Sequence, residues 1–128
     1  MSDENTNPHV LVARQLVDRL LAKDVDGVAD LYTDDMTAWR NSDGRTLVKK
    51  QALKVVRILT GNLHDLSYEN VRVTPTATGF VQQHTMKCTA PNGRPVEAHV
   101  CMIATLENGR IKHVAEYMDT AQMAPLME

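Results

Sequence analysis

Asn108-Gly109-Arg110-Ile111-Lys112-His113-Val114-Ala115-Glu116-Tyr117-Met118-Asp119 joins a tight turn to an extended run, and its alternation sets the architecture of the C-terminal half. Asn-Gly takes positive φ at both positions at little cost, so it closes a short hairpin. Along the strand that follows, Val114, Glu116 and Met118 share one face, and His113, Ala115 and Tyr117 the other. A carboxylate among Val and Met is expensive unless it is paired, neutralised or used. Glu116 is therefore the first candidate for chemistry.

Three further runs upstream carry the same period of two: residues 66–73, 80–89 and 96–106, with 111–117 as the fourth strand. Thr-Pro-rich, Pro-Asn-Gly and Asn-Gly segments separate them, which suits antiparallel hairpins. The N-terminal half has a different period. Asn7-Pro8 supplies an N-cap and a proline for the first helical position. Val10, Ala13, Val17, Leu20 and Leu21 follow at helical spacing, predicting a helix to about Lys23. Asp24 or Asp26 caps a short second helix with Val28, Leu31 and Tyr32. Residues 36–41 read as a strand and Ser42-Asp43-Gly44-Arg45 as its turn. Val48, Ala52, Val55, Val56 and Leu59 mark a third helix, stopped by Gly61. Three helices followed by a meander predict an α+β fold, with helices covering one face of a bent, mostly antiparallel sheet. Residues 1–7 read as a disordered terminus and 8–128 as one domain.

Composition narrows the classes. Fourteen basic against 16 acidic residues leave a net charge of −2, which offers no electrostatic footprint for nucleic acid or an anionic membrane. The longest apolar runs fall far short of a membrane span, and no signal-peptide pattern opens the chain. Cys88 and Cys101 have no CxxC or metal-ligand spacing, and read as free thiols in a reducing cytoplasm. No spacing of His, Asp and Glu suggests a metal, and no glycine-rich loop suggests a phosphate, so the reading expects no cofactor.

The strand 80–88 carries the second candidate. Phe80, Gln82, His84, Met86 and Cys88 share one face; Val81, Gln83, Thr85 and Lys87 share the other. Lys87 wants water and Met86 does not, so the first set faces inward and takes Gln82 and His84 with it. One β-bulge would exchange the faces downstream of it. On the next strand Ala98, Val100, Met102 and Ala104 form an apolar face, while Cys101 and Ile103 on the other are apolar too. A sheet apolar on both faces has helices on one side and a partner on the other, and a homodimer is expected.

This order of parts resembles the nuclear-transport-factor-2-like superfamily, and within it the SnoaL-like (polyketide cyclase and ketosteroid isomerase-like) group. The residues that carry the resemblance are Leu31-Tyr32-Thr33-Asp34-Asp35 leading into a strand, Gly44-Arg45 opening a helix, and Asn108-Gly109-Arg110-Ile111 before the last strand. It spans about residues 8–126. It implies a cone-shaped α+β half-barrel around one deep apolar pocket, usually as a dimer. Members include isomerases, epoxide hydrolases, dehydratases, cyclases and non-catalytic binding proteins.

Set against the ketosteroid isomerases, Arg40 stands where the resemblance requires a carboxylate base, Leu16 where it requires a tyrosine, and Met102 near its protonated acid. That activity is not expected. Limonene epoxide hydrolases place a Tyr and an Asn at Trp39 and Asn41 and an acid at Glu116, but their Arg-x-Asp pair has no match between Gln82 and Lys87. Scytalone dehydratases share histidines resembling His64 and His84 and a pocket aromatic resembling Trp39, while their Tyr-Asp pair becomes Leu21-Ala22. SnoaL-type cyclases place a carboxylate at the end of the last strand, resembling Glu116 or Asp119 before Met123-Ala124-Pro125-Leu126.

Glu116 is read as the acid/base, with His84 as proton partner; the competing reading pairs Glu116 with Arg40 or His84 structurally. Trp39, Arg40, Asn41, Gln82, Met86, Met102 and Met118 are the substrate-binding candidates. Arg40 and Trp39 are adjacent in a strand, so one of them points away. Asp119 reads as a cap for the C-terminal segment. The expected function is cofactor-independent proton-transfer chemistry on a small, hydrophobic, oxygenated molecule: cyclisation, isomerisation or dehydration. The alternatives are epoxide opening and non-catalytic ligand binding.

Overall fold

The computed structural model describes residues 6–127. Asn7 caps the first helix, α1 (Pro8–Leu21), by accepting from the His9 amide at 2.9 Å, with Pro8 at the first helical position. Asp24 caps α2 (Val25–Leu31) through the Gly27 amide. The strand β1 (Tyr32–Arg40) follows at once, so Tyr32 begins a strand rather than ending a helix. A turn with Gly44 at φ 67° leads to the short β2 (Thr46–Val48), and then α3 runs over Lys49–Asn62. That helix passes through Gly61 and ends against the buried Leu63. The meander is β3 (His64–Pro75), β4 (Gly79–Thr89), β5 (Pro95–Glu107) and β6 (Arg110–Met118), closed by a 3-10 helix over Thr120–Met127. Asn108 and Gly109 both take positive φ, 52° and 79°, as the hairpin between β5 and β6 demands.

The strands form one open sheet in the order β2-β1-β6-β5-β4-β3. Every pairing is antiparallel except β1 with β6, which is parallel and sets Arg40 opposite Glu116. β4 and β5 pair without interruption from Gly79 opposite Thr105 to Thr89 opposite Pro95, so no bulge exchanges their faces. Register slips twice in β3 near Asp65 and Asn70, both at positive φ, once between Tyr32 and Thr37 where β1 meets β6, and once between Thr105 and Leu106 where β5 meets β6.

Helices α1, α2 and α3 close one face. Val10, Val28, Met36, Phe80 and Ile111 are almost wholly inaccessible, and Val12, Ala13, Leu16 and Val56 meet Phe80, Met102, Ala104 and Val114 in one cluster. A second cluster of Met86, Cys88, Val96, Ala98 and Val100 lies at the other end and takes in Met123 and Leu126 of the 3-10 helix. Outside, Lys87 bridges Glu69 and Glu97 in a cross-strand row, which places it in water as its charge requires. Cys88 and Cys101 are free and belong to opposite faces of adjacent strands. No described helix is long and apolar enough to cross a membrane.

Candidate active site

Glu116 comes inward by the alternation of β6, between Val114 and Met118. One row crosses the sheet through it: Arg40 on β1, Glu116 on β6, Met102 on β5, Gln82 on β4 and Val73 on β3. The carboxylate has no hydrogen bond or ion pair with any described residue, and it is not sealed from water. Neighbours enclose it on most sides, however, and the lost hydration pushes its pKa above the ordinary 4.5. The charge of Arg40 offsets only part of that rise. Arg40 is already committed to Asp43, whose carboxylate it meets at 2.9 Å, so its positive charge is shared before it reaches Glu116.

Two phenols belong to the same interior. Tyr32 is held at the start of β1, where its carbonyl accepts from Lys49 and Arg110. Tyr68 lies on β3 opposite Met86. Burial pushes the Tyr32 hydroxyl up to about 12, and the charge of Glu116 adds to the rise. Tyr68 is raised by the same two causes in the same order. Neither hydroxyl has a hydrogen-bonding partner among the described residues, and neither oxygen is sealed from water. An unpaired carboxyl and two unpaired phenols within one another's electric field are what an interior open to a polar ligand would present.

Gln82 and His84 complete the polar set. Gln82 is wholly inaccessible, and its Nε2 lies 3.0 Å from His84 Nδ1. The imidazole stacks on Tyr68, with centroids 4.4 Å apart and planes 12° from parallel. Burial lowers the His84 pKa to about 4, so the ring is neutral at physiological pH. Glu116 up and His84 down is not the pattern of an ion pair, which would move both the other way. Each group is held towards its uncharged form by desolvation. His84 also stands one row away from Glu116, facing Val100 and Met118, and it is Gln82 that shares the Glu116 row.

The structure thus brings together Glu116, Gln82, His84, Met86, Met102 and Met118 on the inner face, with Arg40 at its rim. Trp39 and Asn41 stand apart. Trp39 is in register with Ala115 and tilts against Tyr117, centroids 5.2 Å apart, on the face opposite Glu116. Asn41 is consumed by backbone: its Nδ2 donates to the Met118 carbonyl and its Oδ1 accepts from the Met118 amide, both at 3.0 Å. It extends the β1–β6 ladder instead of holding water. Asp119 accepts from the Ala121 amide and caps the 3-10 helix. Tyr32 and Tyr68 were not among the sequence candidates; an inward period-two position on β3 was the available signal for Tyr68.

A groove of about 540 Å³ lies mainly on the other side of the sheet, lined by Gln83, Thr85, His99, Cys101 and Tyr117 among others. It is wide and shallow, and the unpaired carboxyl and phenols are not part of it. No group of three or more His, Cys, Asp or Glu residues could hold a metal ion among the described residues.

The SnoaL-like domain family matches residues 13–114. No curated protein matches the chain by sequence. Among solved structures, it superposes on a candidate isomerase from Bacillus subtilis with a TM-score of 0.82 at 13% identity, covering 99% of this chain and 96% of that one. An LEH-like epoxide hydrolase from M. tuberculosis gives 0.74 at 16% identity, over 94% and 90%. A candidate SnoaL-like polyketide cyclase from Shewanella denitrificans gives 0.77 at 10% identity, over 99% and 98%. At these identities the likeness is one of fold.

Proposed function

The chain belongs to the SnoaL-like domain family, and from that premise we propose that it is a cofactor-independent acid/base enzyme acting on a small, hydrophobic, oxygenated molecule. The observation that carries this reading is the unpaired carboxyl of Glu116 on the inner face, its pKa raised by burial. A carboxyl tuned towards neutrality is at its most effective for proton transfer at physiological pH. In its ionised form Glu116 takes a proton from a carbon beside a carbonyl. The C–H electron pair passes into an enolate, whose oxygen accepts hydrogen bonds from Tyr32 or Tyr68. The protonated Glu116 then returns its proton elsewhere on the molecule, giving isomerisation, or the enolate carbon attacks a second carbonyl, whose π pair moves to oxygen and takes the proton back from Glu116, giving cyclisation. Met86, Met102 and Met118 form adaptable walls. Trp39 plays no part in this interior, and His84, neutral, serves as a hydrogen-bonding group rather than a proton store.

Epoxide opening is the second reading, favoured by the acid on the last strand and by the fold shared with an epoxide hydrolase. The commitment of both Asn41 side-chain atoms to Met118 counts against a water-holding role there. Ligand binding without turnover is the third. A panel of steroids, polyphenols, terpene epoxides and aromatic polyketides, followed by thermal stabilisation of wild type and Glu116→Gln, separates them. A ligand at a hundredfold excess over its Kd adds roughly 2.7 kcal/mol. Turnover of the compound that binds, lost in Glu116→Gln, supports the enzyme; equal binding by both proteins with no turnover supports the binder.

The same proposal includes a homodimer through the outer face, where Ile103 and Tyr117 are 44% and 43% exposed beside Trp39 and Cys101. Light scattering is expected to give the mass of two chains for wild type and of one for Ile103→Lys; a monomeric wild type would exclude it. Two free thiols suit work in a reducing cytoplasm.

A further inference from the structure

Gln82 Oε1 is the one buried side-chain polar atom without a hydrogen-bonding partner among the described residues. A sealed acceptor of this kind carries its full desolvation cost in the empty protein, and native interiors keep few of them. Core packing alone would be served by an apolar side chain of the same volume, so the amide needs another reason. Its geometry supplies one. The Nε2 end donates to His84 Nδ1, which leaves Nδ1 without a proton and places the imidazole proton on Nε2. The stack on Tyr68 fixes the ring, and the ring fixes the amide. The carbonyl end is therefore held out as a preorganised acceptor that no protein group uses.

Its position relative to Glu116 gives the scale. Gln82 and Glu116 flank Met102 in one cross-sheet row, one strand on either side. Neighbouring strands lie about 4.8 Å apart, so the two backbones stand about 10 Å apart. A molecule that reaches both groups has to span that distance across Met102.

We propose that Gln82 Oε1 accepts a hydrogen bond from a hydroxyl of the substrate, so that the site selects phenols and enols over their ethers and deoxy analogues. The proposal rests on the inner face being the ligand site, and it adds the polarity that the ligand must carry at the end remote from Glu116. A site with a buried acceptor rejects an analogue that leaves that acceptor unpaired more strongly than an apolar wall rejects an extra methyl group.

The test compares 2-naphthol with 2-methoxynaphthalene by calorimetry on wild type, Gln82→Met and Glu116→Gln. Wild type is expected to bind the naphthol about 10- to 100-fold more tightly than the ether. Gln82→Met should bring the two within about threefold, while Glu116→Gln keeps the wild-type ratio. Equal binding of both compounds by wild type overturns the proposal and leaves the inner-face site standing. Absence of binding by either compound overturns the inner-face site and the proposal together. The nitrogen chemical shifts of the His84 ring provide a check that needs no variant. Protonated Nε2 with bare Nδ1 is expected; the opposite tautomer would turn the amide round, make Gln82 a donor and overturn the assignment.

Discussion

Glu116→Gln is expected to make the protein more stable at neutral pH while removing its acid/base activity. The sign follows from the direction of the pKa shift. Burial raises the carboxyl of the folded chain above the 4.5 of the unfolded one. Below that range both states hold the proton, and the group costs nothing. As pH rises through it, the unfolded chain releases its proton while the folded chain keeps its own. Wild-type stability therefore falls until the folded carboxyl ionises as well. The amide has no proton to lose, so the variant escapes this fall. Each kcal/mol gained raises Tm by roughly 3–5 °C in a domain of this size. Melting curves should coincide below about pH 4 and separate, variant above wild type, towards pH 8. A carboxylate tied to Arg40 as a structural ion pair would give the reverse order, with the variant losing stability at neutral pH. On the catalytic side, loss of the proton-transferring group costs about 10²- to 10⁴-fold in rate. A stabilising substitution that silences turnover is the signature of a group kept for chemistry rather than for folding.

Phe80→Ala is expected to cost about 3–5 kcal/mol, the largest stability loss of any single truncation considered for this chain. Phe80 is inaccessible, heads the inward face of β4 and is in register with Ala104, whose small side chain leaves it room. Helices from the N-terminal half and strands from the C-terminal half meet over it, so the cavity left by alanine cannot be closed by moving one element. Denaturant midpoints should show the loss with little change in slope, and Tm should fall by roughly 10–20 °C. A loss under about 1 kcal/mol would mean that the helices do not pack on this face of β4.

The fold was legible in the sequence wherever one local rule dominated. Asn7-Pro8 starts a helix by capping and fixed φ, Asn108-Gly109 makes a hairpin by positive φ, and Lys87 beside Met86 orients β4 by their opposed needs for water. Rules of that kind located Glu116, Gln82 and His84 on the inner face. Where two elements met across the chain, local rules fell silent. The parallel pairing of β1 with β6 sets Arg40 opposite Glu116 and turns Trp39 outwards onto Tyr117, and no spacing encodes that register. Strand β2, three residues long, is too short to show a period. Tyr32 read as part of a helix because Leu31 and Val28 precede it at helical spacing, yet Arg110 holds its carbonyl at the strand edge. Tyr68 is brought to His84 by the β3–β4 pairing, which slips register twice. His84 and Glu116 both face inward but stand one row apart, and β5 and β6 place Gln82 in line with the carboxyl, a register that no local spacing encodes.

Proton transfer at this site depends on the ionisation of one side chain. A carbon-13 titration of the glutamate carboxyls, with the Glu116 resonance assigned by its disappearance in Glu116→Gln, measures that ionisation directly. The midpoint is predicted above the ordinary 4.5, with the other glutamate carboxyls serving as the internal comparison. A midpoint at or below 4.5 would make Glu116 a hydrated or ion-paired carboxylate and remove the basis for assigning it the proton transfer.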